Sequence, residues 1–114
     1  MRRGEVWLVS LNPTLGAEMS KTRPAIIVND DTIGTLPLRV IVPITDWKDR
    51  YKLALWMVRL EPDKENGLNK LSAADTFQVR SVAQERLIRR LGRLSDIAMA
   101  QIARALADVL DINP

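Results

Sequence analysis

The sequence predicts a mainly β domain closed by a C-terminal α-helix, and three observations predict it. Short apolar runs recur at strand length through most of the chain. Pro, Gly, Asn and Asp punctuate them as turns. Only the final segment spaces its apolar residues for a helix. Several short strands followed by one helix suggest a compact, curled antiparallel sheet or small barrel, packed by that helix. At 114 residues the chain is read as one domain, 1–114, long enough to bury a core without disulfides or metals.

The elements follow in order. Residues 5–11 (EVWLVSL) read as a first strand ended by the Asn12-Pro13-Thr14 turn. After a polar loop to Arg23, Pro24 opens a second strand, AIIVN, at a position where its missing N–H is tolerated. Asp30-Asp31 and Gly34 mark a turn, and residues 38–44 (LRVIVPI) form a third strand with Pro43 near its end. A charged connection, 46–52, carries Trp47 and Tyr51. Residues 53–60 (LALWMVRL) read as a fourth strand and 74–79 as a fifth. Ser81 and Gln84 fit a capping box, which predicts a short helical turn there. The segment 86–93 is basic, with no element assigned. Ser95 suits an N-cap, Asp96 suits the positive helix end, and Ile97, Ile102, Leu106, Val109 and Leu110 set a helix over 96–110.

Composition excludes several classes of chemistry. The chain is 46% hydrophobic and 27% charged, so it is globular rather than disordered. It has no Cys, which rules out thiol catalysis and Cys-ligated zinc, and no His, which removes the usual proton shuttle. No cofactor and no metal are expected, and Glu18, Asp46 and Asp75 show no ligand spacing. No apolar run approaches the length of a membrane span. Met1-Arg2-Arg3 runs straight into Gly4-Glu5, so no secretory signal is read and a cytoplasmic location is expected. The net charge of +3 permits a polyanionic partner without requiring one.

Three stretches place unusual polar residues at strand ends, where loops present function on a rigid scaffold. Arg23 precedes Pro24, which biases its backbone to extended geometry. A guanidinium there matches a phosphate, and its plain alternative is a solvated surface Arg. Thr45 follows Pro43-Ile44, either as a turn residue or as a hydroxyl aimed at phosphate. Within 75–80 (DTFQVR), strand alternation puts Gln78 and Arg80 on one face and Phe77 and Val79 on the other.

Taken together, Arg3-Gly4-Glu5-Val6-Trp7, Asn12-Pro13-Thr14, Gly16-x-Glu18, Lys21-x-Arg23-Pro24, Pro43-Ile44-Thr45 and Gln78-x-Arg80 resemble the MazF/PemK family. These are type II toxin–antitoxin toxins that act as mRNA interferases. The resemblance implies an SH3-like curled antiparallel barrel of the CcdB/Kid/MazF type, usually a homodimer. It implies metal-independent, sequence-specific cleavage of single-stranded RNA. The RNA's own 2′-hydroxyl attacks, leaving a 2′,3′-cyclic phosphate and a 5′-hydroxyl. It also implies a cognate antitoxin that threads an acidic, flexible tail across the basic groove.

Carried over by position, the family's active-site Arg falls on Arg23 and its phosphate-side Thr on Thr45. Asp75 lies near the catalytic carboxylate of some members and is the candidate base. Glu18, Lys21, Gln78 and Arg80 are the implied RNA-contacting residues, with Glu18 also placed to orient Arg23. Two positions depart from the pattern: Ala17 stands where members often have Ser or His, and Ala73-Ala74 where some carry an Arg. The same barrel also serves toxins that poison DNA gyrase by protein contact, so a non-catalytic toxin or RNA-binding protein is the alternative reading. Arg23-Pro24 with Thr45 argues against it, because a gyrase poison needs no phosphate-stabilising pair.

Overall fold

The computed structural model describes residues 1–33 and 36–113. Seven strands precede one helix among these residues: β1 (Glu5–Ser10), β2 (Thr22–Ile27), β3 (Leu38–Asp46), β4 (Met57–Leu60), β5 (Ser72–Asp75), β6 (Arg80–Ala83), β7 (Leu87–Arg93) and α1 (Asp96–Val109). They pair in the order β4-β5-β3-β2-β1-β7, with β6 also against β3, and every pairing is antiparallel.

β3 is the pivot of the curl. Residues 41–43 pair with β2, while the opposite edge serves β6 over 38–41 and β5 over 44–46. The changeover falls at Pro43-Ile44, and the strand expected to finish at Ile44 runs on to Asp46. β2 explains its own unbroken apolar run, because both of its faces are buried. Ile26 joins Val6, Val42, Ile44, Leu60, Ile102 and others under the helix, whereas Ala25 and Ile27 join Val9, Leu11, Ile41, Val82 and Leu87. Each such Ile or Val contributes about 1.5–3 kcal/mol by leaving water.

The helix matches expectation. Ser95 caps it, its Oγ accepting from the Ala98 N–H at 3.1 Å, and Ile102 and Ala105 bury its inner face. Other elements differ. The fourth strand is only Met57–Leu60, because 49–53 wind into a short 3-10 helix and leave Leu53, Leu55 and Trp56 on the surface. The fifth strand spans Ser72–Asp75, and a 3-10 turn over 76–78 follows. That turn ends the alternation expected to place Gln78 and Arg80 on one face. Ser81 lies within β6 rather than at a helix cap, and the helical turn comes later, at 84–86, with no side-chain cap. The basic segment is strand β7, paired with β1. Gly34 of the expected turn lies outside the described residues, although Asp30 Oδ1 does close a turn on the Thr32 N–H at 2.7 Å.

The connection between β4 and β5 is pinned to β7 backbone against backbone. Arg93 N–H donates to the Glu65 carbonyl at 2.7 Å. Gly92 and Gly67 allow this approach: a Cβ on Gly92 would overlap the Glu65 carbonyl, and one on Gly67 the Leu91 carbonyl. Gly67 also holds φ +71°, a left-handed conformation open to glycine. Asn66 is buried at the centre, accepting from Leu68 N–H at 3.0 Å and donating to the Glu61 carbonyl at 2.8 Å.

Candidate active site

Strand register assembles the site. Residues directly opposite in an antiparallel pair project from the same face, as do residues two apart along a strand. Ala25 stands opposite Pro43, so Arg23 and Thr45, two residues further on, share their face. Thr45 stands opposite Ala73, which places Asp75 on that face too, because Ala73 and Asp75 are two apart. Arg59 stands opposite Ala73 on β4 and completes the row. Arg23, Thr45, Ala73 and Arg59 thus lie at one level across β2, β3, β5 and β4. Asp75 lies one step along, level with Met57.

The loop between β1 and β2 shapes the approach to this face. Leu11 N–H donates to the Lys21 carbonyl at 2.9 Å, and Lys21 N–H donates to Asn12 Oδ1 at 3.0 Å. Lys21 holds φ +69°, a strained conformation for a residue with a side chain. The Arg23 Nε donates to the Ser20 carbonyl at 2.9 Å, which fixes the root of the guanidinium. Among the described residues, no hydrogen bond or ion pair takes its two terminal nitrogens. Pro24 sits within β2 but beyond the ladder to β3, which begins at Ala25.

Asp75 is 5% exposed. Its Oδ1 accepts from Phe77 N–H at 3.1 Å and its Oδ2 from Gln78 Nε2 at 3.2 Å. Burial raises its proton affinity above the ordinary carboxylate value, although those hydrogen bonds pull the other way. Gln78 in turn accepts from the Met19 N–H through Oε1, so the carboxylate is linked to the loop that leads into β2 and Arg23.

Five of the sequence-predicted residues line two neighbouring clefts, whereas Asp75, buried behind Gln78, and Lys21 line neither. Arg23 and Thr45 line one, with Thr22, Asp46, Asn69, Lys70, Ser72 and Arg89 among its walls. Glu18, Gln78 and Arg80 line the other, with Ala17, Met19 and Pro43. Glu18 does not reach Arg23: its carboxylate accepts from Leu15 N–H at 2.7 Å and closes its own turn. Arg80 donates to the Leu11 carbonyl at 3.3 Å, which ties it to the base of the loop. Lys21 is exposed.

Sequence reasoning missed Lys70, Arg89 and Arg59. Lys70 pairs with Asp46 at 3.0 Å on the cleft wall. Arg89 comes from β7, which enters only by pairing with β1 across the fold. Its signal was visible as the run of Arg in a segment with strand-like Leu and Ile, read only as basic. Among the described residues, no group of three or more Asp or Glu is placed to hold a metal ion. Nor is any helix among those residues long and apolar enough to cross a membrane.

The fold and this face define a curled antiparallel sheet, packed by one helix and carrying an Arg–Thr–Asp constellation. A family model described as PemK-like, MazF-like toxin of type II toxin–antitoxin system matches residues 2–110, and the chain belongs to that family. It is similar to the endoribonuclease MazF9 of Mycobacterium tuberculosis, 36% identical over 118 residues covering 98% of each chain. It is also similar to the endoribonuclease MazF of Staphylococcus epidermidis, 32% identical over 99% of this chain and 93% of that one. Among solved structures, MazF from Deinococcus radiodurans superposes with a TM-score of 0.80 at 19% identity, covering 98% of this chain and 97% of that one. A mycobacterial endoribonuclease in complex with its cognate antitoxin gives 0.79 at 19% identity, over 100% and 98%. These last two likenesses bear on the fold.

Proposed function

We propose that the chain, acting as one domain, is a metal-independent, sequence-specific endoribonuclease toxin that cleaves single-stranded RNA. The observation that carries this reading is the shared face of Arg23, Thr45 and Asp75, set by the registers of β2, β3 and β5. The nucleophile is the RNA 2′-oxygen, so the protein's work is alignment and charge stabilisation. As the 2′-oxygen bonds to phosphorus, the bond to the 5′-oxygen breaks, leaving a 2′,3′-cyclic phosphate, and the departing 5′-oxygen takes a proton from solvent water to become a 5′-hydroxyl. The free fork of Arg23 neutralises the phosphorane oxygens, and the Thr45 hydroxyl donates to one of them. Asp75 takes the 2′-hydroxyl proton once RNA entering the cleft displaces Gln78 from it, and its raised proton affinity suits that role. Glu18, Lys21, Gln78 and Arg80 shape and flank the strand's path.

The partners follow from the same reading. A cognate antitoxin with an acidic tail would cover the cationic cleft of Arg23, Lys70 and Arg89. A second copy of the chain would cover the apolar cluster of Leu53, Leu55, Trp56 and Phe77, all exposed, where the Trp56 and Phe77 rings meet edge-on at 6.1 Å. The site of action is the cytoplasm, where mRNA is found.

Labelled single-stranded RNA incubated with the protein in excess EDTA tests the proposal. Wild type is expected to cleave and to leave a 5′-hydroxyl. Arg23→Ala is expected to lose about 10²–10³ in rate, as removal of an oxyanion-type donor does. Thr45→Ala should lose rate as well, and Asp75→Asn should lose cleavage while still binding RNA. Cleavage that needs a divalent ion, or no cleavage of any long RNA, sinks the reading and favours a toxin acting by protein contact.

A further inference from the structure

We propose that Arg59 provides a second phosphate grip on the cleavage face, holding the RNA phosphate next to the scissile one. The inference rests on the endoribonuclease reading and adds a residue to it. Register places Arg59 directly opposite Ala73, and Ala73 directly opposite Thr45. The three share one face. Ala73 is fully buried and ends at its Cβ, so nothing on β5 stands between the Arg59 side chain and Thr45. Two strand spacings separate them, about 10 Å. That span sets Arg59 beside the phosphate that neighbours the one at Thr45 and Arg23, rather than at the reacting atoms.

The guanidinium is held for such a role. Its carbon lies over the Trp47 ring, 5.7 Å from the centroid, and Trp47 continues the β3 ladder by donating its N–H to the Leu71 carbonyl at 3.1 Å. A cation–π contact at this distance restrains the guanidinium, whose N–H groups form a fork suited to a bidentate acceptor. The present acceptor is Glu61 at 3.4 Å, in a pair whose side chains are 51% and 74% exposed. An exposed pair of this kind contributes little, so a phosphate exchanges for Glu61 at small cost. Trp47 itself packs edge-on against Tyr51 at 5.8 Å, which keeps the indole in place when the fork moves.

The test uses a short single-stranded RNA that wild type cleaves, with a 2′-deoxynucleotide at the cleaved position so that it binds without reacting. Affinity is measured over a series of salt concentrations, with thermal unfolding in parallel. Arg59→Ala is expected to weaken binding severalfold. It should also make the slope of log K against log salt shallower by about 0.7, the value for one phosphate contact on a single strand. Arg59→Lys should restore the slope with lower affinity, because an ammonium keeps the charge and loses the fork. Glu61→Gln should tighten binding by releasing the competing acceptor. An Arg59→Ala slope equal to wild type overturns the proposal, whatever happens to the melting temperature. If wild type neither binds nor cleaves the unmodified strand, the endoribonuclease reading falls and this inference with it. If wild type cleaves and only the slope is unmoved, Arg59 alone is removed.

Discussion

Gln78 uses both ends of its amide, donating to Asp75 through Nε2 and accepting from Met19 N–H through Oε1. The direction is fixed, since an ionised carboxylate only accepts and a backbone N–H only donates. Gln78→Ala should therefore loosen the 15–21 loop, at a cost of about 1 kcal/mol in stability. It should also speed proteolysis within that loop, which mass mapping of the first cut would show. Asp75 adds a pH dependence. Burial raises its pKa in the fold, so the stability it confers is complete below the unfolded value of 3.8 and is lost as pH rises through the folded value. Asp75→Asn lacks that decline. The melting temperature of the variant minus that of wild type should rise with pH above about 4 and then level off. A difference that falls with pH would contradict the shift. At this scale Pro24 and Pro43 marked the strand ends where Arg23 and Thr45 stand, while the role expected of each came from the family resemblance. The relay was not legible, since Gln78 and Met19 lie 59 residues apart and only the fold introduces them.

Among the elements, the β4–β5 connection and β7 form a single wall because two glycines let their backbones touch. Gly92→Ala should force the Glu65 carbonyl away and cost about 1–3 kcal/mol, as overpacking does. Urea titration would measure it. Arg89 and Lys70 ride on this wall, so RNA affinity should weaken along with stability, whereas an exposed control such as Gln101→Ala should change neither. The helix was readable from Ser95 and its apolar spacing, and β1 to β3 from their apolar runs. The fourth strand was overextended because LALW is apolar without being internal. β7 was passed over because its exposed face carries Arg residues, which strand patterning counts against it. Strand propensity reports a half-buried pleated surface, so charge on the wet side hides an element as surely as apolar surface residues invent one.

As a whole, the molecule leaves Leu53, Leu55, Trp56 and Phe77 in the open, beside the 3-10 turn that follows Asp75. Covering that surface with a second copy predicts a mass by light scattering that falls from dimer to monomer on dilution. Trp56→Glu should give the monomer at every concentration while α-helical circular dichroism persists. A wild type that is monomeric throughout would assign the surface elsewhere. Composition narrows the chemistry at this scale: with neither His nor Cys, catalysis falls to Arg, Lys, Thr, Ser, Asp, Glu or Tyr.

The three tryptophans stand in three separate settings. Trp7, half-buried, donates to Glu5 on its own strand at 2.9 Å, Trp56 meets Phe77 on the bare apolar surface, and Trp47 lies beneath Arg59. Each indole therefore emits light into a different event. Single Trp→Phe replacements would separate the signals, with Trp7 following unfolding, Trp56 following self-association and Trp47 following the arrival of RNA, all without a label.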